Sequence, residues 1–209
     1  MDGPPAAELA DGLWRWTAPH PAWRPGASPG SPDDWGRLVG SVLYEPEPWA
    51  VLIDPQLPPG GPEREALLAW LDARVDERPV TILTTISHHR RDRDELAARY
   101  AGRSERAWNA VPPGVVPKPL RGAGETVYWL PGALSLVFGD RLLGDGEGGV
   151  RVAPESWLRE VRVDRAGVAH QMRPLLELPV ERLLVSHGEP VLHDGRAALA
   201  RAIREADLR

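Results

Sequence analysis

Short apolar runs alternate along this chain with stretches whose hydrophobic residues recur at helical spacing. Three runs rich in β-branched residues predict strands over 39–44, 50–53 and 80–86. Residues 62–75 begin with a proline and then carry leucines and a valine at helical spacing, which predicts an amphipathic helix. Helical composition returns over 93–100. This alternation of strand and helix predicts a βαβ unit.

The second half of the chain continues the alternation. Strands are predicted over 126–130, 134–138 and 183–186, the first two as a hairpin around a Pro-Gly turn. Helical or mixed structure is predicted over 157–163, 168–176 and 194–206, the last helix being capped by Asp194. Residues 19–34 are dense in Pro, Gly and Ser and predict a loop that borders a site. The two alternating halves favour a sandwich with helices outside two packed sheets.

Composition narrows the class of protein. A chain of 209 residues that is 42% hydrophobic predicts one domain over 1–209, with the Pro/Gly/Trp-rich segment 1–37 packed on it. No apolar run reaches the roughly 18 residues of a membrane span, and the acidic N-terminus does not resemble a signal peptide, so we expect a cytoplasmic protein without a membrane partner. The net charge of −5 argues against nucleic acid as a partner.

Polar residues with catalytic or metal-binding chemistry follow four of the apolar runs. The residues that come directly after these runs are Asp54, His88 and His89, Asp140, and His187. Strands that end at one edge of a sheet can bring such side chains together. Because the chain has no cysteine, any metal must be held by His, Asp or Glu.

This order and spacing resemble the metallo-β-lactamase fold superfamily, from about Leu38 to the C-terminal helix. The resemblance implies an α/β fold, a four-layer αββα sandwich of the metallo-β-lactamase type, with its pocket at the strand ends. Within it, Asp54 resembles the acid that orients the neighbouring ligand loop. Asp140 in the Gly-Asp pair resembles the carboxylate that bridges two metals, and His187 in His-Gly-Glu-Pro resembles the histidine of the last strand.

Two motifs of the superfamily depart from its pattern. The second motif has a Thr followed by His-x-His-x-Asp-His, and with Thr85 as the threonine its four ligand positions hold Ile86, His88, Arg90 and Arg91. The third motif holds Arg121 where a histidine is expected. The resemblance therefore implies at most one divalent metal (Zn, Mn or Fe), held by His88, Asp140 and His187, and argues against dinuclear zinc.

The sequence also bears on the arrangement of the histidines. His88 and His89 face opposite ways if their segment is extended, so we do not expect them to bind one ion together without a turn between them. The sequence assigns His20, His170 and His193 to the surface or to loops.

These observations favour a divergent protein of this fold with an eroded metal centre that lacks dinuclear hydrolase activity. In this interpretation a guanidinium from Arg121 or Arg91 pairs with Asp140, since a buried carboxylate without its metal needs a partner. Whether the protein is an enzyme stays open.

Two alternatives belong to other functional classes. One is a hydrolase of a small ester, lactone or phosphoester, with one metal or none, in which His88, Asp140 and His187 act on an anionic molecule. The basic residues that would bind this molecule are His89, Arg90, Arg91 and Arg121. The other is a binding module, in which some of the nine tryptophans line a ligand pocket or a homodimer surface.

Overall fold

In the part of the chain that the structure describes, the first β-sheet has five strands. The computed structural model describes residues 5–101 and 111–208. The strands, in their spatial order, are β1 (Ala7–Ala10), β2 (Leu13–Pro19), β3 (Leu38–Tyr44), β4 (Ala50–Ile53) and β5 (Val80–Leu83). Neighbouring strands are antiparallel except β4 and β5, which are parallel. Helix α1 (Gly61–Val75) connects this parallel pair, as the βαβ prediction requires.

The second sheet has four strands and comes from the later part of the chain. Its strands are β6 (Val116–Leu120), β7 (Glu125–Leu130), β8 (Ser135–Val137) and β11 (Arg182–Leu184), in the order β11-β8-β7-β6. Strands β8 and β11 are parallel, so their carboxyl ends lie at the same edge. A separate hairpin consists of β9 (Leu142–Gly144) and β10 (Val150–Val152).

Among the described residues, three hydrophobic cores separate four layers. Helix α1 and helix α2 (Arg93–Arg99) pack on one face of the first sheet, through residues such as Leu71 and Leu96. Residues of both sheets, among them Ile53 and Val137, form the middle core. Helices α3 (Arg165–Met172) and α4 (Gly195–Asp207) cover the outer face of the second sheet. The predicted α/β sandwich with helices outside two sheets is confirmed.

The N-terminal segment contributes two strands to this sandwich. Strand β2 pairs with β3 along its whole length, from Leu13 opposite Tyr44 to Pro19 opposite Leu38. Its side chains Trp14 and Trp16 are buried on the face that packs against α1 and α2. Residues 7–19 are therefore part of the first sheet itself.

Several predicted boundaries differ from the structure. The strand predicted over 80–86 ends at Leu83, because the next residues turn to place their polar groups on Asp54. Residues 157–163 contain no α-helix, and a short 3-10 turn over Glu155–Trp157 ends at their first residue. The Asp194 side chain does not cap α4, since this residue adopts a left-handed conformation with φ of 55°. Within the described residues, no helix is long and apolar enough to span a membrane.

Candidate functional site

The ends of β4, β5, β8 and β11 surround one cavity. It has a volume of about 340 Å³, and its wall includes the predicted residues His88, His89, Arg91, Asp140 and His187. Asp54 lies behind this wall, in contact with His89. The convergence expected from the four apolar runs is therefore present in the structure.

Asp140 is the centre of the site. Its side chain is 10% exposed, and the Nε2 atoms of three imidazoles lie within ion-pair distance of its oxygens. The distances are 2.7 Å from His88 to Oδ2, 3.0 Å from His89 to Oδ1 and 3.3 Å from His187 to Oδ1. Burial alone would raise the pKa of Asp140, but the charge of His89 and the contacts with the histidines hold that pKa well below its usual value.

His89 is held between two carboxylates. Its Nδ1 lies 2.9 Å from Asp54 Oδ2, while its Nε2 faces Asp140, and the side chain is only 4% exposed. Asp54 in turn accepts hydrogen bonds from the Thr85 amide, at 2.8 Å, and from the Thr85 hydroxyl. Burial opposes the charged imidazole, yet the two carboxylates raise the pKa of His89 to about 9. Metal-binding histidines commonly donate the N–H of their second ring nitrogen to a carboxylate in this way.

The segment that carries His88 and His89 is not extended, so the condition under which the two rings would face opposite ways is not met. Residues 87–92 form a turn in which the His89 amide donates to the Ile86 carbonyl at 2.9 Å. The turn brings both rings to Asp140, with their centroids 5.1 Å apart. His89 is therefore a candidate ligand in addition to the residues expected from the sequence.

The three arginines predicted near the site occupy different environments. Arg91 lines the cavity and donates at 2.7 Å to the carbonyls of Gly40 and Asp54, and also to the Ser186 hydroxyl. Arg91 thus links β3 with the residues that follow β4 and β11. Because its guanidinium is used in this way, the predicted ion pair with Asp140 is not formed.

Arg90 and Arg121 lie outside the cavity wall, in contrast to their predicted role in binding an anion there. Arg90 is exposed and pairs with Asp94 of α2 at 3.0 Å. Arg121 is exposed in the turn between β6 and β7. Within the described part of the chain, Asp140 pairs with histidines and not with Arg121.

Aromatic residues form the rest of the wall. The rings of Trp35 and Trp157 stand nearly perpendicular to that of His187, with centroids 5.5 Å and 5.2 Å away. Burial outweighs the attraction of Asp140 and lowers the pKa of His187. The Trp157 indole also donates to the Ser31 carbonyl at 3.4 Å, so the proline-rich loop borders the site as the sequence predicts.

His20 is a site residue that the sequence assigned to the surface or a loop. It lines the cavity beside Trp35, at 5.0 Å between ring centroids, and its Nδ1 accepts the Ala22 amide at 3.2 Å. Burial, followed by the charge of Arg91, lowers its pKa to about 4. It lies at the start of the predicted loop over 19–34, and no motif of its own marks it as a site residue. His170 and His193 are exposed, as predicted.

Glu125 and Arg141 are buried beside the site and were also missed. Both carboxylate oxygens of Glu125 accept backbone amides of the Gly-Asp turn. Burial, together with the charge of Asp140, raises the pKa of Glu125 to about 7. Arg141 donates to the carbonyls of Ala123, at 2.7 Å, and Trp157, at 3.3 Å. An acid at the start of a strand and an arginine after an aspartate carry no sequence signature of these roles.

The donor set fits a single divalent metal ion. Ligand atoms of His88, His89 and Asp140 lie within 4.8 Å of one another, and His187 reaches the same carboxylate. Although two nitrogens lie close to Asp140 Oδ1, this buried oxygen accepts no well-directed hydrogen bond. Imidazole and carboxylate are ligands that zinc prefers, and a buried oxygen without a directed partner is compatible with an ion at this position.

Comparisons with known proteins address the fold. The sequence matches no protein-family model. It also matches no curated protein. Solved structures do match, including a metallo-β-lactamase from Erythrobacter litoralis with β-mercaptoethanol in its active site. The two share 17% identity with a TM-score of 0.62, over 98% of this chain and 96% of that one. The chain has the metallo-β-lactamase fold.

Two further structures agree. The metallo-β-lactamase FIM-1 from Pseudomonas aeruginosa, in its mono-zinc form, has 12% identity and a TM-score of 0.58 over 98% of this chain and 96% of that one. A metallo-β-lactamase family protein from Thermus thermophilus has 16% identity and a TM-score of 0.54 over 96% of this chain and 81% of that one. At these identities the likeness establishes the metallo-β-lactamase fold, and the activity has to be argued from the site.

Proposed function

We propose that this protein of the metallo-β-lactamase fold has an eroded metal centre, which holds one divalent ion and lacks dinuclear hydrolase chemistry. The observation that carries the proposal is the convergence of three imidazoles on one buried carboxylate. The proposed ligands are His88, His89, His187 and Asp140. The mono-zinc form of FIM-1 supports the view that this fold accommodates a single ion.

The residues around the cluster argue against a second ion. A catalytic zinc usually needs three protein ligands, and among the described residues the candidate ligands form a single group. Arg91 lies beside Asp54 and Asp140, and its permanent charge lowers the affinity of the site for additional cations. A second ion would therefore lack both ligands and a favourable potential.

The activity proposed for this centre is hydrolysis of a small ester, lactone or phosphoester. When bound, a divalent ion supplies Lewis-acid polarisation of a carbonyl or phosphoryl oxygen. Asp54 accepts the Nδ1–H of His89 and so directs Nε2 toward the ligand position, where the proton that the raised pKa of His89 keeps on Nε2 must leave before an ion binds. Trp35 and Trp157 pack against the His187 ring and leave its side chain 12% exposed. His20 is neutral near pH 7, and because its Nδ1 accepts the Ala22 amide, its proton resides on Nε2.

Metal content and turnover test this proposal together. Protein purified without chelator should contain about one equivalent of metal by elemental analysis, and two equivalents would contradict the proposal. Zinc affinity should fall in His88→Ala, His89→Ala and His187→Ala, whereas the exposed control His193→Ala should keep it. Hydrolysis of p-nitrophenyl esters, lactones and phosphoesters, measured with Zn, Mn or Fe, should fall in the same three variants.

A second candidate is a module that binds a small anionic molecule without turnover. The observation that favours it is the wall itself, in which two indole rings and Arg91 surround the cavity. The wall also carries charged groups, including Arg141, Arg159 and Glu160, and cavities of this size that combine aromatic walls with placed polar groups commonly bind small molecules. Saturable binding of an aromatic carboxylate to metal-free protein, with no hydrolysis of any substrate in the panel, would select this candidate over the hydrolase.

A further inference from the structure

Glu125 is a buried acid outside the proposed ligand set, and it contacts the Gly-Asp turn directly. Its Oε1 accepts the Gly139 amide at 3.0 Å, and its Oε2 accepts the amides of Asp140 and Arg141 at 2.7 Å and 2.9 Å. One carboxylate therefore binds three consecutive N–H groups. Such multiple, charge-assisted hydrogen bonds fix a backbone turn more tightly than single neutral bonds do.

Glu125 also belongs to the strand that joins the two halves of the site. It forms an isolated β-bridge with Ile86, and the next residue, Thr126, donates its amide to the Thr85 carbonyl at 2.8 Å. Residues 85–86 directly precede the turn over 87–92, which carries His88 and His89. Through its backbone Glu125 is thus linked to His88 and His89, and through its side chain to Asp140.

The surroundings of Gly139 show how closely the Gly-Asp turn approaches Thr85 and Glu125. A Cβ atom at Gly139 would lie 2.5 Å from Thr85 Oγ1 and 2.9 Å from Glu125 Oε2, closer than non-bonded atoms allow. Glycine at this position lets the Gly-Asp turn lie directly against Thr85 and Glu125. The side chains that support His89 and Asp140 therefore meet at one packed point.

We propose that Glu125 is a positioning residue of the centre, which holds the Asp140 backbone so that its carboxylate faces His88, His89 and His187. The role in metal binding rests on the proposed function, whereas the position of Asp140 can be measured without any metal. Ligands must be held within about 0.5 Å of their productive geometry, and loss of an outer-shell partner typically costs about 10- to 100-fold in metal affinity.

The test compares Glu125→Gln and Glu125→Ala with a matched control, Asp145→Asn. Asp145 also uses its carboxylate to accept two backbone amides, from Glu147 and Gly149 at 2.8 Å each, but in the turn between β9 and β10. Zinc affinity is measured by competition with a chelator, and the visible spectrum of the Co²⁺ form reports the coordination. A crystal structure of each metal-free variant gives the distances from Asp140 to the three histidines.

We expect the zinc affinity of Glu125→Gln to fall about 10-fold and that of Glu125→Ala toward 100-fold. The Co²⁺ spectrum should change in both variants, and Asp140 should move relative to the histidines in the metal-free crystals. Asp145→Asn should keep the wild-type affinity, spectrum and distances. If Glu125→Ala does not fold, Glu125→Gln carries the test, because its amide oxygen still accepts part of the hydrogen bonds.

Two results would overturn the inference. One is an unmoved Asp140 together with wild-type zinc affinity in Glu125→Gln. The other is an equal loss of affinity in Asp145→Asn, which would indicate a general effect of stability. Absence of zinc binding in the wild type would instead overturn the proposed function, and the metal-free distances would still decide the role of Glu125.

Discussion

Two buried carboxylates of this protein have three nitrogen-bearing neighbours each, but the neighbours differ in kind. The side chain of Glu45 is 4% exposed and that of Asp140 is 10% exposed. The neighbours of Glu45 are Trp14, Arg74 and Arg78. The neighbours of Asp140 are His88, His89 and His187.

The difference separates a cluster with one charge state from a cluster that can exchange protons and bind a metal ion. Arginine stays charged at any working pH and cannot bind a metal, so the ion pairs of Glu45 have a single state. Histidine exchanges a proton near neutral pH and, when neutral, binds metal ions. Asp140 therefore lies in a cluster that can change its charge and its ligands, beside a cavity, whereas Glu45 lies under the arginine side chains of α1 and the segment after it.

The largest effect should come from Asp140→Asn. This change removes the charge on which the three imidazoles converge, so we expect zinc affinity to fall by more than the roughly 100-fold that loss of an outer-shell partner costs. Competition with a chelator measures the change. If Asp140→Asn kept the wild-type zinc affinity, the proposed difference between the Asp140 cluster and the Glu45 cluster would be wrong.

The second-largest effect should be on how the stability of the metal-free protein depends on pH. In metal-free protein the raised pKa of His89, about 9, means that its contribution is fully present below about pH 6.5 and is lost as the pH rises through 9. The loss should amount to about 3 kcal/mol at most. His20, with a pKa of about 4, lowers stability as the pH falls below 6.5, and Glu125, with its pKa raised to about 7, adds a loss of stability as the pH rises from about 4.5 to 7.

Urea unfolding between pH 5 and pH 10 measures this curve. The loss at alkaline pH should be absent in His89→Gln and unchanged in Glu45→Gln. Because zinc competes with protons for the histidines, zinc affinity of the wild type should rise over the same range. If His89→Gln lost as much stability at alkaline pH as the wild type does, the loss would come from another titrating group.

Glu45→Gln should lower the free energy of unfolding by about 2 kcal/mol without changing zinc affinity. Arg74 and Arg78 are about one-third exposed, so water partly replaces the lost carboxylate charge and the cost stays below that of a fully buried ion pair. Denaturant unfolding and chelator competition on the same sample test both statements. A zinc affinity that falls with stability would mean that the clusters are coupled.

The smallest effect should come from Trp14→Phe. The change removes the indole N–H that donates to Glu45 at 2.9 Å and weakens the stacking of Arg74, whose guanidinium lies 4.5 Å from the ring centroid. We expect a loss of about 1 kcal/mol in unfolding free energy. Zinc affinity should again be unchanged, and a larger loss than in Glu45→Gln would show that packing dominates this cluster.

Much of the fold could be predicted from the sequence, because buried strands and amphipathic helices leave periodic apolar patterns. The βαβ unit around α1 and the hairpin of β7 and β8 follow from those patterns directly. Predictions failed where polar contacts between distant segments decide the local structure. The strand that was expected to reach residue 86 ends at Leu83, because Thr85 bonds to Asp54, 31 residues away.

By itself, the sequence determined that this chain folds as layered sheets and helices, that acids and histidines follow its strands, and that any metal must be held without thiolates. Only the tertiary structure decided which of those side chains meet. It brought His89 to Asp140, placed Arg121 in an exposed turn and set Glu125 beneath the Gly-Asp pair. The reason is physical: periodicity records which face of an element is buried, whereas contacts between side chains depend on where strands end and how turns are hydrogen-bonded across the sandwich.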